Sequence, residues 1–217
     1  MKWAIAIITA PRESSRLEAT LSSVAEAGWD NPIVVAEPNA PIPASVSQLR
    51  VLRNPHRLGP HRNFRRAVSV LLEVEPQADA YAVLEDDIQM SASLRAWLDS
   101  TGVWPSDRTG VLSLFTAYAN HSMQPGWHPC RDVPRRAHGA QAYVFPPRAA
   151  IAYLSMPPRR MTWGQTDYWV GWWCRESGYE YWMHSPSFVR HTGKESTIIH
   201  LPLDEYRQCR EFLPRIA

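Results

Sequence analysis

A short apolar segment, Tyr81-Ala82-Val83-Leu84, ends abruptly in three acidic residues, Glu85-Asp86-Asp87. Apolar residues followed at once by carboxylates are typical of a buried strand that leaves the core of a sheet and turns its last side chains into a cleft. In open α/β sheets, ligands bind at that edge. Three adjacent carboxylates repel one another unless a cation or hydrogen-bond donors stabilise them, so the segment predicts a site for a hard divalent cation. The alternative is a solvated acidic loop after a strand.

Strand and helix patterns alternate along the first half of the chain. Apolar residues 3–9 predict a first buried strand, and Ser15-Arg16-Leu17-Glu18 resembles a capping box that opens a helix. Gly28 is expected to end that helix. This order predicts an α/β fold with a mostly parallel central sheet flanked by helices. The other elements predicted in this half are strands at residues 32–36 and 48–53 and a helix after Gly59.

The second half is predicted to be less regular. Ser91 is expected to cap a short helix that carries Leu94, Trp97 and Leu98. Residues 116–138 are interpreted as a long functional loop, because loops of this length are uncommon as simple connectors. The remaining predicted elements are strands at residues 110–115, 139–145, 179–183 and 187–190 and a helix from Thr166 to Gly178.

Composition narrows the classes of protein. No apolar segment approaches the length of a membrane span, and the three cysteines are widely spaced without a CxxC pair, which argues against a disulfide framework or a zinc knuckle. Of the 23 basic residues only Lys2 and Lys194 are lysine. Arginine's planar fork suits bidentate contacts with phosphate, although GC-rich coding also favours arginine over lysine.

The order of these signals resembles glycosyltransferases of the GT-A fold, including the Golgi N-acetylglucosaminyltransferases, which use a Glu-Asp-Asp form of the DxD motif. The resemblance covers roughly residues 3–197 and rests on the first half of the chain, the acidic trio, Asp167 at a helix start and His191 in the segment His191-Thr-Gly-Lys-Glu-Ser196. It implies one GT-A domain over residues 1–217, with a nucleotide-binding half at about 1–90 and an acceptor half at about 91–217.

The resemblance implies a metal site with a defined set of ligands. Asp87 is expected to bind Mn²⁺ or Mg²⁺ directly, and His191 matches the late histidine that completes the site. One imidazole among oxygen ligands suits Mn²⁺ better than Mg²⁺. Glu85 and Asp86 are expected to contact the sugar and ribose of the donor. For His191 the alternative is a hydrogen-bonded structural histidine.

Asp167 is the expected general base of the same resemblance. It would accept the proton of the acceptor hydroxyl, and the anomeric configuration would then invert. An ordinary acidic residue at a helix start is the alternative, because aspartate is common there.

The resemblance also implies a nucleotide-sugar donor, expected to be linked to UDP. The helix that follows Gly59 would offer its N-terminus to the diphosphate. The expected donor contacts are Thr9, Pro11 and Arg12 after the first strand, Glu37 after the second, Asn54, Arg57 and Asn63 in the next loop and helix start, and Lys194 and Ser196 beside His191.

We therefore interpret the chain as a metal-dependent glycosyltransferase with a hydroxyl acceptor. One version has a glycan or small-molecule acceptor, with stacking surfaces near Trp172, Trp173 and Trp182. The other has a hydroxymethylated pyrimidine in DNA, whose phosphates would be followed by arginine pairs. Because no stem or signal anchor is evident, we expect a cytoplasmic setting, in a bacterium or in the host of a virus. The arginine pairs are Arg65/Arg66, Arg135/Arg136 and Arg159/Arg160.

Two other functions are weighed against this interpretation. A sugar-1-phosphate nucleotidylyltransferase shares the fold and the metal, but the segment after the first strand has no glycine-rich, lysine-containing loop to bind a triphosphate. A non-enzymatic Arg/Trp-rich module for nucleic acid or carbohydrate would leave the ordered series of Glu85-Asp86-Asp87, Asp167 and His191 unexplained.

Overall fold

The computed structural model of the protein describes residues 1–120, 122, 124–157, 166–193 and 208–216. Its strands are β1 (Trp3–Thr9), β2 (Ile33–Ala36), β3 (Val51–Arg53), β4 (Ala80–Glu85), β5 (Ile88–Met90), β6 (Thr109–Ser113), β7 (Gly126–Pro129), β8 (Ala142–Phe145), β9 (Glu180–Ser185) and β10 (Val189–His191). Its α-helices are α1 (Leu17–Glu26), α2 (Pro60–Val74), α3 (Leu94–Thr101), α4 (Pro147–Ser155) and α5 (Thr166–Ser177). Short 3-10 helices lie at Ala44–Val46 and Tyr118–Asn120.

Eight of these strands form one mixed sheet in the order β3-β2-β1-β4-β8-β6-β9-β7. Strands β1 to β4 are parallel to one another, whereas β8 runs antiparallel to both β4 and β6. The chain moves outward from β1 to β3 and then returns to place β4 on the other side of β1. The carboxyl ends of β1 and β4 therefore form a topological switch point, where open α/β sheets bind ligands.

Helices cover both faces of the sheet. On one face α2, α4 and α5 enclose an aromatic core that includes Phe64, Tyr143, Tyr153 and Trp173. On the other face α1 and α3 pack over a second core with Leu17, Val24, Leu94 and Leu98. The periodic apolar positions of the sequence thus become the buried faces of the helices, and the α/β fold predicted from them is confirmed.

Two predicted helix starts are wrong in detail. Helix α1 begins at Leu17 after Arg16, and no side-chain capping bond forms there; the Ser15 hydroxyl accepts a bond from the Leu17 amide at 3.4 Å. The capping box is therefore absent. Ser91 does not cap α3, because its hydroxyl donates to the carbonyl oxygens of Phe188 and Leu213.

Three elements were not predicted, and one aromatic residue was placed wrongly. Strand β5 directly follows the acidic trio, β7 lies inside the segment interpreted as a loop, and α4 begins at Pro147, two residues after the end of β8. Trp173 is fully buried, so it offers no stacking surface to a ligand.

Within the described part of the chain, every helix is too short or too polar to cross a membrane.

Candidate functional site

The acidic trio lies at the switch point of the sheet. Glu85 is the last residue of β4 and is the register partner of Ile8 in β1. The loop that leaves β1 after Thr9 carries Arg12 toward the same edge. Strand β10 pairs antiparallel with β5, which places His191 opposite Ile88 and next to the trio. Three segments that are far apart in sequence thus meet at one point.

Asp86 is the most firmly held member of the trio. Its carboxylate accepts a hydrogen bond from the Thr9 hydroxyl and one from Arg12 Nη2 at 2.5 Å. Its main-chain carbonyl lies 2.9 Å from the Thr20 hydroxyl, which also bonds the carbonyl and amide of Ile88. A residue that is 1% exposed and bonded in this way is a fixed part of the fold.

Asp87 has a different environment. Arg12 Nη1 lies 2.7 Å from its Oδ2 atom and His191 Nε2 lies 3.0 Å from the same oxygen. The Thr192 amide fixes the Asp87 carbonyl at 2.7 Å. Its other carboxylate oxygen, Oδ1, is buried without a hydrogen-bond partner in the described residues. Glu85, Asp87 and His191 each place one ligand atom within 4.8 Å of the others.

The charges of this cluster are strongly interdependent. Removal from water and the negative charge of Asp87 raise the pKa of Glu85. Burial raises the pKa of Asp86 to about 6, although Arg12 opposes that shift. Burial alone would also raise the pKa of Asp87, but the His191 hydrogen bond and the charges of His191 and Arg12 outweigh it and lower the pKa. Burial opposes protonation of His191, yet its contacts with Asp87 raise its pKa.

This set of atoms fits a divalent cation. A buried carboxylate oxygen without a partner is costly, and a cation would satisfy it. Two carboxylates and one imidazole can ligate such a cation, and His191 Nδ1 is also buried without a partner in the described residues. The main chain at Gly193 lies so close to Asp87 that no side chain fits there, because a Cβ atom would lie 2.7 Å from Asp87 Oδ2.

Three expected donor contacts bind one another. The Glu37 carboxylate accepts bonds from the Gly59 amide at 2.7 Å and from the Leu58 amide at 3.0 Å. Asn54 lies 3.4 Å from the same carboxylate and donates to the Asn63 side chain at 2.8 Å. These buried groups tie the ends of β2 and β3 to the start of α2. In this structure they hold the edge of the sheet in place.

The remaining expected donor contacts differ in position. Pro11 and Arg57 are exposed on the loops that follow β1 and β3. Lys194 and Ser196 lie outside the described residues.

Asp167 lies in the first turn of α5 and is half-buried. Its carboxylate accepts bonds from the Gly139 amide at 2.9 Å and from its neighbour Tyr168 at 2.8 Å. Two residues beyond Gly139, the Gln141 carbonyl accepts a bond from the Glu85 amide at 2.8 Å. A short stretch of backbone therefore connects Asp167 to the acidic trio along the same edge of the sheet.

A cavity of about 400 Å³ adjoins the cluster. This size falls within the range of small-molecule sites. His191 is shared by the cavity and the cluster, and two arginines supply positive charge at its wall. The lining residues are Arg190, His191, Thr192, Gln208, Cys209, Arg210 and Phe212.

Sequence reasoning missed two residues that shape the site. Thr20 lies on the buried face of α1 between Leu17 and Val24, and a polar residue at such a position is a readable signal. Gly193 belongs to the segment quoted with His191, but its steric role was not predicted, because its need for space depends on the positions of Asp87 and His191.

Comparison with known proteins identifies the fold. No protein-family model and no curated protein matches the chain. A crystal structure of GalNAc-T7 with UDP, GalNAc and Mn²⁺ matches 88% of the chain with a TM-score of 0.62 and 12% identity. The chain spans 43% of that protein. A CMP:2-keto-3-deoxy-manno-octonic acid synthetase complexed with CTP matches with a TM-score of 0.52 and 13% identity, over 89% of this chain and 93% of that one.

These likenesses confirm a GT-A-like, Rossmann-related α/β fold. Both neighbours are enzymes of nucleotide-sugar chemistry, and both structures contain a nucleotide. At such low identity the likeness establishes architecture, so function is argued from the site.

Proposed function

We propose that the protein is a metal-dependent glycosyltransferase that moves a sugar from a nucleotide diphosphate sugar to a hydroxyl acceptor with inversion. The observation that carries this proposal is the convergence of Glu85, Asp87 and His191, with ligand atoms within 4.8 Å of one another at the switch point of a GT-A-like sheet. The proposal places the donor over about the first 90 residues and the acceptor over the rest of one domain.

Asp87, His191 and Glu85 would hold the cation, with Mn²⁺ favoured over Mg²⁺ by the imidazole. Such an ion, when bound, neutralises negative charge on a departing diphosphate. Within the chain, Arg12 supplies a further positive charge beside the trio. The edge formed by Thr9, Arg12 and the start of α2 would take the donor, with UDP as the expected nucleotide. Pro11, Arg57, Lys194 and Ser196 stay predicted donor contacts.

Asp167 is the proposed general base. Bonds from the Gly139 and Tyr168 amides fix its orientation, and each oxygen keeps a lone pair that can accept a proton. The acceptor hydroxyl would transfer its proton to Asp167 while its oxygen bonds to the anomeric carbon. The bond from that carbon to the nucleoside diphosphate breaks at the same time, and its electron pair leaves with the diphosphate. Attack from the opposite face inverts the configuration.

Of the two acceptor classes, we propose a glycan or small molecule rather than DNA. Arg65 was expected to contact phosphates, but its guanidinium donates to the Tyr153 and Leu154 carbonyls at 2.9 and 2.8 Å at the end of α4. Arg66, Arg135 and Arg136 are exposed, whereas Arg159 and Arg160 lie outside the described residues. The cavity beside His191 has the volume for a sugar-sized group.

Thermal shift in the presence of Mn²⁺ tests the donor class. Wild type and Asp87→Asn are compared with UDP, GDP and CDP sugars, since a ligand that binds the native state raises its melting temperature. We expect a rise with UDP sugars in wild type that is absent in Asp87→Asn. The exposed Asp107→Asn variant removes the same charge elsewhere and should behave as wild type. The absence of any shift with every nucleotide sugar would overturn the proposal.

A nucleotidylyltransferase is the second candidate, because the CMP:2-keto-3-deoxy-manno-octonic acid synthetase is matched over 93% of its length. Against it, the segment after β1 carries Arg12 bound to two aspartates and has no glycine-rich loop. Incubation with a nucleoside triphosphate and a sugar phosphate separates the two functions. Release of pyrophosphate would favour this candidate, and release of a nucleoside diphosphate from a nucleotide sugar would favour the transferase.

A further inference from the structure

Arg12 bridges two buried carboxylates. Its Nη2 atom lies 2.5 Å from Asp86 Oδ1 and its Nη1 atom lies 2.7 Å from Asp87 Oδ2. The arginine side chain is 15% exposed, and the two aspartate side chains are 2% and 6% exposed. A guanidinium is always charged in proteins, so it supplies the positive charge that these carboxylates need. Without such a charge, two adjacent buried carboxylates would repel each other strongly.

The two halves of this bridge are not equivalent. Asp86 is anchored by the Thr9 hydroxyl at its side chain and by Thr20 at its carbonyl oxygen. Apart from Arg12, the side chain of Asp87 bonds at Oδ2 to His191, which is itself an expected metal ligand, and its Oδ1 is buried without a partner in the described residues. The bond from Arg12 to Asp86 therefore belongs to a rigid scaffold, and the bond to Asp87 is the exchangeable one.

The exchangeable bond occupies an atom that a cation would also use. Asp87 Oδ2 contacts both Arg12 and His191, and Glu85 reaches the same small volume. A divalent cation bound to Asp87 would add two positive charges beside the guanidinium. Like charges this close disfavour each other, particularly where burial removes solvent screening.

We propose that Arg12 is a stand-in cation that a divalent metal displaces from Asp87. With no metal bound, the guanidinium lies between the two aspartates, reduces their repulsion and keeps the site folded. When the metal takes Asp87, Arg12 stays on Asp86 and its freed donors turn to an anionic group, for which the diphosphate of a nucleotide has the right chemistry. This inference rests on the proposed function, since it assumes that metal and nucleotide meet here.

A consequence is that metal and nucleotide bind cooperatively through Arg12. A metal that binds alone must leave the displaced guanidinium without its second partner. A diphosphate supplies that partner, so each ligand strengthens the binding of the other by the same factor.

Titration of Mn²⁺ into the protein by calorimetry tests this role without any measurement of activity. We expect Arg12→Ala to bind Mn²⁺ alone about tenfold more tightly than wild type, a typical allosteric factor, because the competing charge is gone. The same variant should melt at a lower temperature without metal, because Asp86 and Asp87 lose their counter-charge. UDP should then increase its Mn²⁺ affinity less than in wild type.

Arg12→Gln provides a second variant that keeps hydrogen bonds but not charge, in case the alanine variant fails to fold. Arg175→Ala is the matched control, because Arg175 is an exposed arginine paired with Glu176 at 3.0 Å on α5. It should leave the Mn²⁺ affinity unchanged.

The outcomes separate this inference from the proposed function. Equal or weaker Mn²⁺ binding by both Arg12 variants, with normal binding by wild type, would show that Arg12 only positions Asp87. The inference would then fail and the transferase proposal would stand. If neither wild type nor variants bind Mn²⁺, both proposals fail together.

Discussion

At the scale of single residues, three adjacent carboxylates have three different environments. Asp86 is bonded at both oxygens, Asp87 keeps one oxygen without a partner in the described residues, and Glu85 lies half-buried at the strand end. A contact between Asp86 and the ribose would therefore have to compete with the bonds that Asp86 accepts from Thr9 and Arg12. Neighbours in sequence can thus have separate roles, which isosteric substitutions distinguish.

We predict that Asp87→Asn lowers Mn²⁺ affinity about 100-fold or more, since it removes a charged ligand, whereas second-layer changes cost about 10- to 100-fold. Asp86→Asn should change Mn²⁺ affinity less and stability more, because Asp86 anchors Thr9 and Arg12. Calorimetry and urea unfolding of both variants measure the two effects. Equal losses of Mn²⁺ affinity would show that Asp86 also ligates the metal.

The sequence allowed only part of this site to be predicted. The end of β4 was visible as an abrupt change from apolar to acidic residues, and His191 was identified by resemblance. The bond between Glu37 and Asn54 could not be predicted, because it joins two segments whose distance depends on the whole sheet. The end of a strand can be predicted from neighbouring residues in the sequence, whereas the hydrogen-bond partner of a side chain depends on the rest of the fold.

At the scale of elements, the junction after β10 depends on a glycine. A Cβ atom on Gly193 would lie 2.6 Å from His191 Cε1 and 2.7 Å from Asp87 Oδ2, both inside the contact limit. We predict that Gly193→Ala moves one of these side chains and weakens Mn²⁺ binding about 10- to 100-fold. Mn²⁺ titration followed by electron paramagnetic resonance gives the affinity.

Gly110→Ala is the matched control for that prediction. Gly110 lies at the start of β6, away from the acidic trio. A Cβ atom on it would lie 2.6 Å from the Tyr179 Cβ atom, which is a clash of the same size as at Gly193. It should lower the melting temperature and leave Mn²⁺ affinity unchanged. A Gly193→Ala variant with wild-type affinity would show that the junction adjusts without moving the ligands.

Helix α2 is fixed at its start by a buried carboxylate. Glu37 accepts bonds from the Leu58 and Gly59 amides just before the helix begins. We predict that Glu37→Gln lowers the free energy of unfolding by about 1–3 kcal/mol. The side-chain nitrogen of glutamine cannot accept a hydrogen bond, so a main-chain amide loses its partner. The amides of Leu58 and Gly59 should also exchange hydrogen faster. Exposed Glu176→Gln serves as the control, and unchanged exchange in Glu37→Gln would contradict the anchoring role.

Local composition explains why some elements were missed. Strand β7 contains Gly126 and Pro129 and lacks alternating polarity, so its pairing with β9 gave no local pattern. Helix α4 begins at Pro147, and a proline at the first helical position supports a helix as well as ending a strand. In both cases neighbouring elements decide between conformations that the local residues permit.

At the scale of the whole molecule, the sheet separates two cores, and a histidine packs against each of them: His61, which is partly buried, and His184, which is buried. Burial, helped by Arg65 and Arg62, lowers the pKa of His61 to about 4, and burial lowers the pKa of His184 to about 4. His184 lies nearly parallel to Phe188, with ring centroids 3.9 Å apart. Acid must therefore charge buried groups on both faces of the sheet.

The two histidines and Asp86 act on stability in opposite directions. The folded state binds fewer protons at the histidines than the unfolded state between about pH 4 and 6.5, so their contribution falls as the pH falls through this range. The pKa of Asp86 is raised to about 6, so the folded state binds more protons there and that contribution falls as the pH rises. A change at one histidine isolates its share.

We predict that His61→Phe raises the free energy of unfolding, and that its advantage over wild type grows as the pH falls from about 6.5 to 4. Both ring nitrogens of His61 are buried without hydrogen-bond partners in the described residues, so their removal should gain ~1–3 kcal/mol at neutral pH. At pH 4 the lowered pKa of His61 adds about 2–3 kcal/mol to the difference in free energy of unfolding between the variant and wild type, since one pKa unit corresponds to about 1.36 kcal/mol. Phenylalanine can keep the edge-on contacts with Trp169 and Tyr153. Urea unfolding at several pH values measures the difference, and a difference that does not change with pH would contradict the neutral state of His61.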